Sequence, residues 1–214
     1  MRNALKIAGA TLLFGLLHSL LASRTIKSAA ARVVGQRRQG AFYRLFYIVQ
    51  SLLTFGALLA YAKRIPTRTV YEIQAFPATL MRLGQLAALL HALYAARSVG
   101  ILRLAGVNNL RAWLRDDPLP IPPIAQGPEL DQEGDLTVRG PFLWSRHPLN
   151  LSPVPLFWLT PRMTTRHLIF NLVSTLYLIL GSLHEELRLR DAYGTAYAAY
   201  QNSGIPFFFP RPRR

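Results

Sequence analysis

The sequence predicts an all-α integral membrane protein of about five transmembrane helices, the last two a hairpin followed by a cytoplasmic C-terminal helix. Three observations predict it. Hydrophobic residues make up 51% of the 214 and are gathered into long uncharged runs. Prolines crowd a single polar stretch between the third and fourth of those runs. Basic residues outnumber acidic ones 25 to 10, for a net charge of +15, and are unevenly shared among the segments joining the runs. The chain has no Cys, which excludes a disulfide framework, a thiolate metal site and a cysteine nucleophile.

The runs are Ile7–Ser23, Leu45–Ala62, Leu83–Ala96, Pro148–Pro161 and Leu168–Leu183. A helical span needs roughly 20 apolar residues. The first two runs meet that length alone, and the others qualify as packed members of a bundle. Leu20-Leu21-Ala22 is a poor signal-peptidase site, so the first run reads as a retained helix. Gly35–Gly40 reads as a short basic turn, and Ile101–Leu114 as an interfacial helix with Trp113 at headgroup level. Asp116–Leu136, with prolines at 118, 120, 122, 123 and 128, excludes a regular helix. Pro161–Arg166 turns the last two spans into a hairpin.

With five spans, the first loop, the third loop and the C-terminal tail share a side and hold 17 basic residues against seven opposite. The positive-inside rule places that side in the cytoplasm. The localisation expected is a bacterial inner membrane. The excess charge is suited to anionic lipid headgroups rather than to nucleic acid. The whole chain, 1–214, reads as one membrane domain: three N-terminal spans over 1–96, a Pro-rich connector over 97–137 and a core over 138–210.

Polar residues concentrate at the two ends of the hairpin. Arg146 and His147 stand just before the fourth run, and Glu185 and Glu186 just after the fifth. Two adjacent carboxylates at the end of a span need a cationic partner, and an antiparallel hairpin brings Arg146 and His147 to them. Placed on a continuous helix, Glu186, Arg190, Tyr193, Tyr197 and Tyr200 share one face, while Leu189, Ala192, Ala196 and Ala199 follow Glu185 on a small-residue packing face. His18 and His91 lie inside the first and third runs, where an ionisable group is a functional candidate and a haem ligand is one reading. Five scattered His supply no metal-ligand cluster.

The stretches GPFLWSRHPLN and EELRLRDAYGTAYAAYQNSGIPFFFP, separated by a hydrophobic hairpin, resemble the C-terminal core of the isoprenylcysteine carboxyl methyltransferase and phospholipid methyltransferase superfamily. Gly140, Pro141, Arg146, His147, Pro148, Glu185, Glu186, Gly194, Tyr197, Tyr200, Pro206 and Pro210 carry the likeness, over about Val138–Pro210. HSLLAS and YRLFY nearer the N-terminus are similar to the bacterial branch of NnrU-like proteins and methanethiol S-methyltransferases. Asn150 departs from a frequent Tyr, and Tyr193 from a frequent Phe.

The resemblance implies an S-adenosylmethionine-dependent methyltransferase acting on a small or lipophilic acceptor: a thiol, a carboxylate, an amine or a lipid. A haem-binding or non-catalytic membrane protein of the NnrU-like type is the alternative. The resemblance also implies that Arg146 meets the methionyl carboxylate, that Glu185 or Glu186 meets the ammonium, and that His147 contacts the carboxylate or ribose. Arg146 and Glu186 are the expected catalytic pair. Gly140, Pro141, Trp144, Pro148, Asn150, Tyr193, Tyr197 and Tyr200 complete the implied cofactor-binding set.

Overall fold

A computed structural model of the chain describes residues 1–121 and 126–210. Pro122 and Pro123 of the connector and the terminal Arg211, Arg213 and Arg214 lie outside the described residues. The chain forms two compact units.

The first unit comprises Met1–Arg68, Leu102–Pro122 and Thr164–Ser174. It begins with α1 (Arg2–Ala22), α2 (Arg24–Val34) and α3 (Gln36–Lys63). The expected loop between the first two runs is therefore mostly helix. Ser23 caps α2 by accepting from the Ile26 N–H at 3.3 Å. Gly35, at φ +87°, ends α2 and leads straight into α3. Only that glycine is left of the basic turn expected over Gly35–Gly40. Ile7, Ala62 and Ile65 are buried together, with Ile169 and Phe170 against them. The Tyr43 hydroxyl donates to the Leu21 carbonyl at 2.8 Å. The interfacial helix expected over Ile101–Leu114 is two pieces, α5 (Ile101–Leu104) and α6 (Val107–Leu114). Gly106, at φ +77°, breaks them. A side chain there would meet Arg44 Cβ at 2.9 Å, and Arg44 itself donates to the Leu104 carbonyl at 2.5 Å. Trp113 of α6 packs edge-on against Phe42, with ring centres 4.8 Å apart.

The second unit comprises Thr69–Ile101, Pro123–Met163 and Thr175–Arg214. It opens with a short strand, β1 (Thr69–Glu72), and then α4 (Ala75–Val99). Gly84, Ala88, His91 and Ala95 recur at spacings of four, three and four, and so form one face of α4. Against that face lie a 3-10 turn (Gly140–Leu143), α7 (Pro148–Leu151) and α8 (Pro153–Trp158). The approach is close: a methyl group at Gly84 would stand 2.6 Å from Leu159 Cδ1. Gln85 donates to the Leu156 carbonyl at 2.9 Å. After β2 (Arg162–Thr164), which pairs with β1, comes α9 (Thr165–Asn202). Trp158 Nε1 donates to Thr175 at 2.9 Å, and Asn150 donates to Ser182 at 2.9 Å. Eight residues toward the N-terminus from Trp158 thus match seven toward the C-terminus from Thr175, which is the antiparallel hairpin expected. Leu151, Val154 and Phe208 are buried along its seam, with Trp158, Leu178 and Ile179 around them.

Three of the described helices are long and apolar enough to cross a membrane: α1, α3 and α9. Leucines on α1 (Leu12, Leu13, Leu16), α3 (Leu52, Leu53) and α9 (Leu172, Leu176, Leu180) stand exposed on successive turns. An apolar surface of that extent is what lipid contact requires and water disfavours. The run Pro148–Pro161 is not one continuous span. Pro148 and Pro153 each occupy a helix start, where a missing N–H costs nothing, and they divide it into α7 and α8. Between Asp116 and Leu136 the described residues hold no helix, as the prolines require.

Candidate functional site

The charged residues at the two ends of the hairpin meet within the second unit. Arg146 and His147 are positioned by the 3-10 turn before them and by Pro148 after them. Glu185 and Glu186 lie on α9. The Arg146 guanidinium binds Glu186 through two nitrogens, Nε to Oε1 at 2.6 Å and Nη2 to Oε2 at 3.4 Å. Its Nη1 donates to the Ile205 carbonyl at 2.7 Å. His147 is 3% exposed, with Nδ1 3.3 Å from Glu185 Oε2 and Nε2 3.2 Å from Glu186 Oε1.

An ionised carboxylate only accepts, and a neutral imidazole carries one N–H. Both ring nitrogens of His147 face carboxylate oxygens, so the imidazolium is the form that satisfies them. Burial works against that charge, but the hydrogen bonds and charges of Glu185 and Glu186 outweigh it and raise His147 above the usual imidazole value. Two cations thereby balance two anions, and the adjacent carboxylates are accounted for.

Further bonds fix the carboxylates. Glu185 accepts from the Gln126 N–H at 2.5 Å and from Asn150 at 3.2 Å. Glu186 accepts from Tyr197 at 3.3 Å and from Gln201 at 2.8 Å. The Tyr200 hydroxyl donates to the Phe142 carbonyl at 2.7 Å, tying the end of α9 to the 3-10 turn. Phe207 closes the cluster, its ring centre 5.8 Å from the Arg146 guanidinium carbon and 5.1 Å from the His147 ring centre.

The route by which Tyr197 reaches Glu186 corrects the sequence reading. On a straight helix Glu186 and Gln201 stand about 22 Å apart at ~1.5 Å per residue. They are in contact because Gly194, at φ 52° and ψ −122°, breaks α9 and folds its last turns back. Tyr197 and Tyr200, which lie beyond the break, therefore do not share a continuous helical stripe with Glu186. Arg190 is exposed, and Tyr193 packs with Leu189, Tyr197 and Tyr200 in an apolar cluster beside Leu136, Val138 and Ile205. The expected packing face holds only at Leu189. Ala192 and Ala199 are exposed and Ala196 is half-buried.

Of the other predicted residues, Pro141 and Pro148 are fully buried supports. Gly140, at φ +59°, lies against Tyr94 and Ser98, where a Cβ would meet their hydroxyl oxygens at 3.0 and 3.1 Å. Trp144 stacks on His91, ring centres 6.0 Å apart and planes 13° from parallel. Gln126, Ser182, Gln201, Ile205 and Phe207 were not anticipated. Gln201 lies one turn beyond Tyr197, a spacing that becomes informative only once the fold-back is known. In the first unit, both ring nitrogens of His18 are engaged, Nδ1 with Ser51 at 3.1 Å and Nε2 with Tyr47 at 2.5 Å.

Fold and site together define a helical protein with membrane-length apolar helices and a partly buried, charge-balanced cluster at one end of a hairpin. The chain resembles the bacterial methanethiol S-methyltransferase branch. A methanethiol S-methyltransferase of Pseudomonas deceptionensis is 38% identical over 82 residues, 37% of this chain and 31% of that protein. Methanethiol S-methyltransferase 2 of Bradyrhizobium diazoefficiens is 39% identical over 75 residues, 34% of this chain and 29% of that protein. The Mycobacterium tuberculosis methanethiol S-methyltransferase is 37% identical over 73 residues, 34% of this chain and 30% of that protein. The chain spans less than a third of the length of these curated relatives. No family model matches the chain. No solved structure matches it.

Proposed function

We propose that the chain is an integral-membrane, S-adenosylmethionine-dependent methyltransferase whose acceptor is a small thiol. The observation that carries this reading is the Arg146–His147–Glu185–Glu186 cluster, in a chain similar to methanethiol S-methyltransferases. The donor set fits the amino-acid end of the cofactor. Arg146 uses three of its five N–H groups, leaving one on each terminal nitrogen for a carboxylate, and its side chain keeps 12% of its surface open. Glu186 already accepts from Arg146, His147, Tyr197 and Gln201, so the ammonium falls to Glu185, whose Oε1 accepts only from the Gln126 N–H among the described residues. Residues 138–210 form the cofactor-binding core in this reading, with Gly140, Pro141, Trp144, Pro148, Asn150, Tyr193, Tyr197 and Tyr200 shaping it.

Bound S-adenosylmethionine supplies an activated methyl group on a sulfonium. The protein's part is then alignment and exclusion of water. Arg146, fixed by Glu186, and Glu185 hold the charged end in register, the Gly194 fold-back presses Tyr197 and Gln201 onto Glu186, and Phe207 covers the cluster. A lipophilic thiol enters from the bilayer. The site faces the cytoplasm, on the side that carries most of the basic residues. The direct test is incubation of the purified chain with methyl-labelled S-adenosylmethionine and methanethiol. Label in dimethyl sulfide supports the reading; a protein that binds the cofactor but methylates no thiol contradicts it.

A further inference from the structure

Two histidines in this chain share one hydrogen-bonding device and differ at a single point. Ser51 Oγ lies 2.7 Å from the Tyr47 carbonyl, and Ser152 Oγ lies 2.7 Å from the Pro148 carbonyl. A carbonyl only accepts, so each serine spends its one O–H there. Toward its histidine each serine is therefore the acceptor. His18 Nδ1 stands 3.1 Å from Ser51, and His91 Nδ1 stands 2.8 Å from Ser152. In both rings Nδ1 carries the proton and Nε2 carries the lone pair. On His18 that lone pair is taken by the Tyr47 hydroxyl at 2.5 Å. On His91 it has no hydrogen-bond partner among the described residues.

We propose that His91 Nε2 is the base that takes the proton from a thiol acceptor, an assignment that rests on the methyltransferase reading above. The placement suits the role. His91 lies on the small-residue face of α4, held by Ser152 five residues after His147. Its ring stacks on Trp144, two residues before Arg146, and Trp144 is 53% exposed. The base and an apolar platform thus adjoin both ends of the segment that carries the charged cluster. The thiolate is the reactive nucleophile and a free thiol is mostly protonated at neutral pH, so an acceptor of this class needs a base.

In the step, the S–H proton passes to Nε2 while Nδ1–H stays on Ser152. The thiol sulfur's electron pair forms the new S–CH3 bond. The methyl–sulfur bond of the sulfonium donor breaks, and its electron pair remains on the donor sulfur as a neutral thioether. The imidazolium afterwards returns its proton to solvent.

The test uses the full chain in detergent with S-adenosylmethionine and two acceptors: an alkanethiol, which holds its proton at neutral pH, and an aryl thiol, which is largely ionised. His91→Gln is expected to lower kcat for the alkanethiol about 100-fold or more, the usual scale for a lost general base, and to cost the aryl thiol far less. Added imidazole is expected to restore alkanethiol turnover in His91→Ala. Ser152→Ala, which removes the group fixing the tautomer, is expected to show the same selectivity more weakly and serves if the His91 variants do not fold. Equal losses on both thiols, or none, would overturn the assignment while wild-type turnover leaves the methyltransferase reading intact. A wild-type chain that methylates neither thiol removes both.

Discussion

His147 binds a carboxylate through each ring nitrogen, and a pH dependence follows. Its folded-state pKa is raised, so its contribution to stability is fully present below the unfolded imidazole value of about 6.5 and is lost as pH rises through the folded value. Thermal denaturation in detergent is expected to show Tm falling as pH is raised above about 6.5, with the slope flattened in His147→Gln. A Tm that climbs over that window contradicts an imidazolium between Glu185 and Glu186. The Arg146–Glu186 pair makes a second demand. Both side chains are 12% exposed, and leaving a partly buried polar group without its partner costs about 1–3 kcal/mol. Glu186→Gln leaves Arg146 and His147 facing one remaining anion and is expected to lower stability by that order, read as a shift in the denaturation midpoint. The pairing of Arg146 and His147 with the two glutamates was legible in the sequence, because adjacent carboxylates at the end of an apolar run require cations. The capping of Glu186 by Gln201 was not, because it depends on a chain reversal.

That reversal belongs to the scale of the element. α9 is apolar over Leu168–Leu183 and polar beyond, and its only non-helical residue is Gly194. A Cβ at Gly194 meets nothing within 4 Å, so any penalty there comes from backbone conformation alone. Gly194→Ala is expected to cost of order 1–3 kcal/mol and to release Tyr197 and Gln201 from Glu186. The check is tyrosine fluorescence or hydrogen exchange over residues 195–202, where an unchanged protection pattern would show that the fold-back does not depend on glycine. Helical periodicity predicted a straight helix here because spacing alone carries no information about a residue at positive φ. The same blindness applied at Gly35 and Gly106, where positive φ divides segments read as loop or as single helix. Prolines were the more readable signal. Pro118, Pro120 and Pro128 kept the described residues of Asp116–Leu136 free of helix, although Pro148 and Pro153 divided a run that hydrophobicity alone had joined.

At the scale of the molecule, the hydrophobic runs located α1, α3 and α9, and the predominance of helix followed from them. The count of five was not carried by the runs alone: three described helices are long and apolar enough to cross, and Pro148 and Pro153 divide the fourth run into α7 and α8. The charge asymmetry predicts that a reporter fused after Arg214 and one inserted in the Asp116–Leu136 loop both read cytoplasmic; a periplasmic signal at either position contradicts the proposed orientation. The central claim is that the Arg146–His147–Glu185–Glu186 cluster holds a methyl-donor cofactor. Isothermal titration calorimetry of the detergent-purified chain with S-adenosylmethionine tests it most directly. Saturable binding at one site per chain is expected, lost in Arg146→Ala and Glu186→Gln proteins that remain folded. No heat with the wild-type chain, or undiminished affinity in both folded variants, would contradict it.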